Sequence, residues 1–269
     1  LGGSGTQNAS LSFGGSTGSA SVASEKFNGT SWSATGSLNT ARLGLAGAGN
    51  QNASVSFGGN GPSAVTEKFN GTSWTSSGNL NTARTTIAGS GVMNAALSFG
   101  GNSGSVSSVT EKFNGSTWTN VSSPGLTARD VLSGFGSQNS AISAGGNTGG
   151  TTVSTTEKFN GSVWTSVQGL LTAREVPGAI GTANLGIIFG GIDGGGNTLS
   201  SCEKFIGNTW ISTSSLGAVK RNSAGAGGQM SAVSFGGFNG SPMDTTEKFN
   251  TQITMPYSGA ILGKYTTVG

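Results

Sequence analysis

Apolar residues recur along this chain in short runs that never hold a helical period. Between Leu43 and Ser76, Leu43–Gly49 and Ala53–Phe57 read as two strands joined by a turn at Asn50–Asn52. Gly58–Gly59 ends the second, Val65–Phe69 alternates between faces as a third, and Thr72–Ser76 reads as a fourth. The Asn70–Gly71 step between the last two predicts a two-residue hairpin turn with both residues at positive φ. Four antiparallel strands in one such stretch would leave both sheet faces in need of cover, which only neighbouring copies can supply.

Those copies exist. The pattern apolar–Ser–Phe–Gly–Gly, a variable gap, Thr–Glu–Lys–Phe–Asn–Gly–x–x–Trp and then Leu–x–Thr–Ala–Arg runs six times, loosely. The first glycine of the doublet falls at Gly14, Gly58, Gly100, Gly145, Gly190 and Gly236, in steps of 42 to 46 residues. A period in this range marks a solenoid, a propeller or an array, and a β-helix would need a shorter one. Four strands per copy predict an all-β, six-bladed β-propeller in which one domain takes up residues 1–269, with 259–269 as a closing or exit segment.

The order of these signals resembles the kelch family. The matches are the glycine doublet ending the second strand, an aromatic in the third (Phe27, Phe69, Phe113, Phe159, Phe205, Phe249) and a Trp five residues later (Trp32, Trp74, Trp118, Trp164, Trp210). Phenylalanine stands where kelch repeats more usually have tyrosine. Phrases such as Phe–Asn–Gly–Thr–Ser–Trp–Thr at 69–75 and Leu–Asn–Thr–Ala–Arg at 80–84 resemble kelch-type repeats in structural proteins of tailed bacteriophages. That resemblance implies a virion or extracellular component of the tail-fibre type, with host-surface glycan or other virion proteins as partners and homo-oligomers possible. Some kelch propellers are copper oxidases of sugars, but that chemistry needs imidazole ligands and this chain has no histidine.

Composition narrows the chemistry. Fifty glycines and 9% charged residues resemble low complexity, but five Trp and 13 Phe at fixed intervals supply core material. Without histidine the usual general base, metal ligand and nucleophile-activating triads are missing, so no catalytic residue, metal or cofactor is expected and the chain reads as a non-enzyme. Net charge is +3 with no basic tract, which argues against nucleic acid, and no apolar run predicts membrane insertion. The single cysteine, Cys202, sits in the slot held by Thr66, Thr110, Thr156 and Thr246 and reads as a small strand residue.

Residues common to every copy read as scaffold, so binding is sought where copies differ. Each copy has a Glu (Glu25, Glu67, Glu111, Glu157, Glu203, Glu247), and an Arg opens the next blade 17 or 18 residues later: Arg42, Arg84, Arg129, Arg174 and Arg221. Two readings stand. A Glu could pair with the Arg that follows it, or the five Arg could ring the channel mouth and take an acidic ligand, as the kelch resemblance implies. The second–third loops vary in length and share a face with the fourth–first connections. Their candidates are Asn60, Pro62, Asn102, Asn147, Asp193, Asn197, Phe238, Asn239 and Asp244, with Asp130, Glu175 and Lys220 beside the Arg positions. Asp193–Asn197 reads as a flexible loop more readily than a cation cradle.

The ends depart from the pattern. Leu1 aligns with Leu45, just past where a sixth Arg would stand, so a parent polypeptide is expected to carry an Arg shortly upstream. Blade six lacks the Trp and the Leu–x–Thr–Ala–Arg phrase; 251–258 is expected to supply its outer strand, with Ile253 or Tyr257 in place of the Trp.

Overall fold

A computed structural model describes residues 1–122 and 124–250 of the chain. It is a six-bladed β-propeller: five antiparallel sheets of four strands and a sixth with three among the described residues, each in sequential order with no crossover. No helix occurs among the described residues. The innermost strands are Gly2–Thr6, Ala46–Asn50, Ala88–Val92, Ser133–Ser137, Gly178–Thr182 and Ala224–Gly228, and each touches the next around a closed circle that includes first against last. The expected outer strand of blade six at 251–258 and the closing segment at 259–269 lie outside the described residues.

Blade two shows how closely the alternating pattern maps to strands. They are Ala46–Asn50, Ala53–Phe57, Thr66–Phe69 and Trp74–Ser76. The first begins three residues later than the apolar run, because Gly44 takes a positive φ of 62° and turns the chain before pairing starts. The fourth begins at Trp74, because Phe69 pairs with Trp74 and leaves a four-residue loop between them. The two-residue turn with two positive φ values is therefore wrong. Only Gly71 is at positive φ, at 102°, while the Asn70 side chain accepts hydrogen bonds from the N–H groups of Thr72 and Ser73 at 3.0 and 2.9 Å. The asparagine acts as a side-chain turn former rather than as a left-handed residue.

Packing between blades runs through one repeated aromatic stack. Trp32, Trp74, Trp118 and Trp164 each lie between the Phe of their own blade and the Phe–Gly–Gly Phe of the blade before it. Trp118 is 4.9 Å from Phe113 and 4.8 Å from Phe57, centroid to centroid. Its indole N–H donates to Thr66 Oγ1 of the preceding blade at 3.0 Å, so the ring's one polar atom is satisfied in the core. Trp32 closes the ring the same way, 4.8 Å from Phe235 and donating to Thr246. Cys202, buried, replaces the threonine in blade five, the one blade followed by a copy without a Trp. Burial pushes its thiol up to about 11, so it is held as the neutral thiol.

Blade four breaks the rule and repairs it. Ala144 stands where other blades have the Phe of Phe–Gly–Gly, and Phe135, from the innermost strand, fills that space against Trp210 at 6.2 Å. The neighbour has adjusted at two positions. Elsewhere the innermost strand carries a glycine, as at Gly47 and Gly89, because a Cβ would run into the preceding Phe. Blade five has Ala179 there, and it has Gly186 on its second strand, where a Cβ would run into the Phe135 ring.

The opposite face from the variable loops is stapled blade to blade. Lys112 Nζ donates to Asn139 Oδ1 at 2.7 Å and to the Gly161 carbonyl at 2.9 Å, and Gln138 Nε2 donates back to the Ala96 and Phe113 carbonyls. Lys26, Lys158 and Lys248 repeat the lysine half.

Two outcomes test this packing. Ala144→Phe alone should destabilise by about 1–3 kcal/mol through overpacking. Combining it with Phe135→Ala, Ala179→Gly and Gly186→Ala should recover most of the loss in thermal denaturation. Gly71→Val should cost about 1–3 kcal/mol, because a β-branched residue is forced to positive φ; an unshifted melting curve would show that the loop relaxes freely.

Candidate functional site

The five candidate arginine positions separate sharply. Arg42, Arg84, Arg129 and Arg174 are fully buried. Each begins its blade and reaches outward within that blade's own sheet. Arg84 Nη1 donates to the carbonyls of Gly100 and Val109 at 2.7 and 3.0 Å, and Nη2 to Ser98 Oγ and Glu111 Oε1, both at 2.8 Å. The other pairs are Arg42–Glu67 at 3.0 Å, Arg129–Glu157 at 2.6 Å and Arg174–Glu203 at 2.6 Å. Burial pulls all four guanidinium pKa values below their ordinary range, opposed by the charge and hydrogen bond of the paired glutamate.

This corrects the sequence reading in three ways. The glutamate partner lies in the blade that the arginine opens, not the one before it, because the third strand of that blade is two sheet positions from its first. Arg42, Arg84, Arg129 and Arg174 do not ring the channel mouth; buried, they present nothing to an acidic ligand. The fifth member is Lys220, whose Nζ is 2.8 Å from Glu247 Oε1, and not Arg221. Glu247 is held below the usual carboxylate range by that lysine and by the Gly217 N–H, against the opposing effect of burial.

The Leu–x–Thr–Ala–Arg phrase is the rest of this clamp. Leu80 is buried, the Asn81 and Thr82 N–H groups donate to the two Glu111 oxygens at 2.7 and 3.3 Å, and Arg84 completes the shell. A carboxylate with backbone donors on one side and a guanidinium on the other is a satisfied buried charge.

With the clamp assigned to scaffold, the variable loops remain. Second–third loops and fourth–first connections do share one face, linked by paired backbone bonds: Thr85 with Asn102, Asp130 with Asn147, Glu175 with Ile192, Arg221 with Phe238. Side chains follow the backbone. Asn102 Nδ2 donates to Asp130 at 3.0 Å and Asn147 Nδ2 to Glu175 at 3.0 Å, each pair half-buried. Arg221 lies over the Phe238 ring at 5.1 Å. Asn60 accepts from the Leu43 N–H at 3.0 Å. Pro62, Asn239 and Asp244 are exposed. Asp193 accepts from the Gly195 and Asn197 N–H groups and from Asn197 Nδ2, so its carboxylate braces its own loop, and those bonds lower its pKa, the Asn197 side chain foremost. No group of three or more His, Cys, Asp or Glu placed to hold a metal occurs among the described residues.

Inside that face lies a collar with no sequence signal except its offset, two residues past each clamp cation. Gly44, Thr86, Val131, Val176 and Asn222 are all at positive φ, from 49° to 62°. From Thr86 onward each N–H donates to the carbonyl of the member before it: Thr86 to Gly44 at 2.7 Å, Val131 to Thr86 at 3.1 Å, Val176 to Val131 at 2.7 Å and Asn222 to Val176 at 2.9 Å. A β-branched residue there is strained by about 1–3 kcal/mol, and the chain of bonds holds it. The collar lines a cavity of about 850 Å³ that extends to blade one and the second–third loop of blade six, past Glu25, Phe238 and Asp244. Fold and site together define a six-bladed propeller with a polar, blade-specific rim around a strained collar. No protein-family model and no curated protein matches the chain.

The buried clamp yields a stability test. Arg84→Met and Glu111→Gln should each destabilise by about 3–5 kcal/mol, since each strands a buried polar partner, and the double exchange should cost less than their sum in urea denaturation. Additive losses would mean that the two residues do not form one unit.

Proposed function

We propose that this propeller is a non-enzymatic recognition module of kelch type, carried as an exposed, tail-fibre-like domain of a phage virion, and that it binds host-surface glycan through the face around the channel mouth. The observation that carries this reading is a division of labour. The residues common to the blades are consumed in clamps, stacks and staples, while the blade-specific polar side chains gather on one rim. The Asn102–Asp130 and Asn147–Glu175 pairs present acceptors and donors in fixed geometry, the chemistry that sugar hydroxyls need, and Phe238 supplies a half-buried aromatic ring on the same face. With four arginines buried and Asp130, Glu175, Asp193 and Asp244 on that face, the site favours neutral or amino sugars over acidic ones. The virion setting rests on the phage-like phrases at 69–75 and 80–84, and the absence of histidine in the sequence favours binding without turnover.

A second reading, a structural subunit making protein–protein contacts in a virion or extracellular assembly, draws on a different surface. Blade five exposes Leu185, Ile206 and Ile211 at 45%, 45% and 46%. Leu185 and Ile206 are directly paired. The equivalent residues of blade two are Ala53, Asn70 and Thr75. An apolar set at one blade only fits a neighbouring subunit.

A glycan array followed by calorimetry discriminates. Asp130→Ala, Glu175→Ala and Phe238→Ala should each weaken binding about tenfold or more, with no sugar released, while Thr72→Ala on the opposite face should leave it unchanged. An array with no hit, together with Ile206→Asp abolishing incorporation into particles, would transfer the assignment to the structural reading.

A further inference from the structure

Blade one carries the clamp's ligand set with no side-chain cation in it among the described residues. Its equivalents of Ser98, Gly100, Val109 and Glu111 are Ser12, Gly14, Ala23 and Glu25. In blades two, three and five the corresponding pair of carbonyls binds one guanidinium nitrogen and the corresponding glutamate another; in blade four the glutamate pairs with its arginine in the same way. In blade one Glu25 is exposed and forms no ion pair among the described residues, whereas Glu67, Glu111, Glu157 and Glu203 are buried in theirs. All four blade-one residues line the cavity of about 850 Å³.

We infer that this part of blade one is a receptor slot for a single arginine side chain, whose guanidinium bonds the Gly14 and Ala23 carbonyls and pairs with Glu25. The ligand's identity is dictated by the sister blades: a planar fork of donors meets two carbonyls and a carboxylate at once, which an ammonium cannot do in full. Lys220, the one ammonium in the series, makes the glutamate contact and leaves Glu247 partly exposed. The backbone is prepared as well. The Met243 carbonyl is the counterpart of the Ser21 carbonyl that accepts from the Arg42 N–H, and Gly237 is the counterpart of Gly15, whose N–H donates to the Arg42 carbonyl. The arginine can reach the slot from polypeptide joined ahead of Leu1 or from another copy; the chemistry is the same.

The test joins Arg–Leu–Gly, copied from Arg42–Gly44, to Leu1 of the 269-residue chain, with Met–Leu–Gly as control. The arginine extension should raise Tm by at least about 3 °C over the control, and Glu25→Gln should erase the difference while leaving the unextended chain folded. On the unextended chain, millimolar methylguanidinium should give a saturable rise that methylammonium does not, and the arginine extension should abolish that response. A Tm of the unextended chain that climbs with protein concentration, and stops climbing in Glu25→Gln, identifies another copy as the donor; a concentration-independent Tm with the extension effect intact identifies polypeptide ahead of Leu1. Equal Tm for the two extensions, or a methylguanidinium response that survives Glu25→Gln, overturns the slot.

Discussion

A buried cation–carboxylate clamp sets the geometry of blades two to five, and a lysine version of it recurs in blade six. Arg84 joins the first strand of its sheet to the end of the second, through the Gly100 carbonyl, and to the third, through Glu111. Glu111 in turn holds the incoming connection by the Asn81 and Thr82 N–H groups. One ion pair thus fixes the register of three strands and the path from the previous blade. Such a pair is costly to desolvate, and a hydrophobic replacement of the same shape could match its energy. What an apolar plug would not supply is direction: the fork-shaped guanidinium accepts only one arrangement of carbonyls and carboxylate. In a sheet rich in glycine and serine, where side-chain shape says little about register, a directional polar clamp is the stronger constraint.

The spacing of the motif follows from that clamp. The 16 residues from Arg42 to Gly58, repeated from 84, 129 and 174, are the length of chain needed to run up the first strand, back down the second, and bring the first glycine carbonyl beside the guanidinium. The same length identifies Lys220 as the fifth cation, since it stands 16 residues before Gly236. Choosing Arg221 by residue type rather than by spacing missed it. Freed from the clamp, Arg221 instead lies over Phe238 on the rim, so one side chain passes from scaffold to surface by a shift of one position.

The blade count, the strands, the aromatic stacking and the identity of the variable face were legible in the sequence because each is a periodic property. What was not legible depends on pairing across strands. Glu67 lies 25 residues after Arg42, whereas Glu25 lies 17 before it, so nearness along the chain pointed to the wrong partner. The Asn70 loop was misjudged for a related reason: Asn–Gly fits a two-residue turn, but the Phe69–Trp74 pairing needed by the aromatic stack leaves four residues, and the asparagine side chain then closes the turn. The collar had no signature in residue type, because Gly44, Thr86, Val131, Val176 and Asn222 share only a backbone conformation and their place two residues past each clamp cation.

That collar joins stability to surface. Its residues are held at positive φ by bonds that cross from blade to blade, so their strain is a property of the assembled ring and would relax if adjacent blades separated. The rim residues Asp130 and Glu175 directly precede Val131 and Val176, and therefore stand on backbone that the collar immobilises. A side chain fixed at its root loses less freedom when it meets a ligand. The scaffold's strongest interactions thus converge on the places where the blades differ. A repeat with almost no sequence freedom in its interior can therefore carry a rim whose residues change from blade to blade without disturbing the fold beneath them.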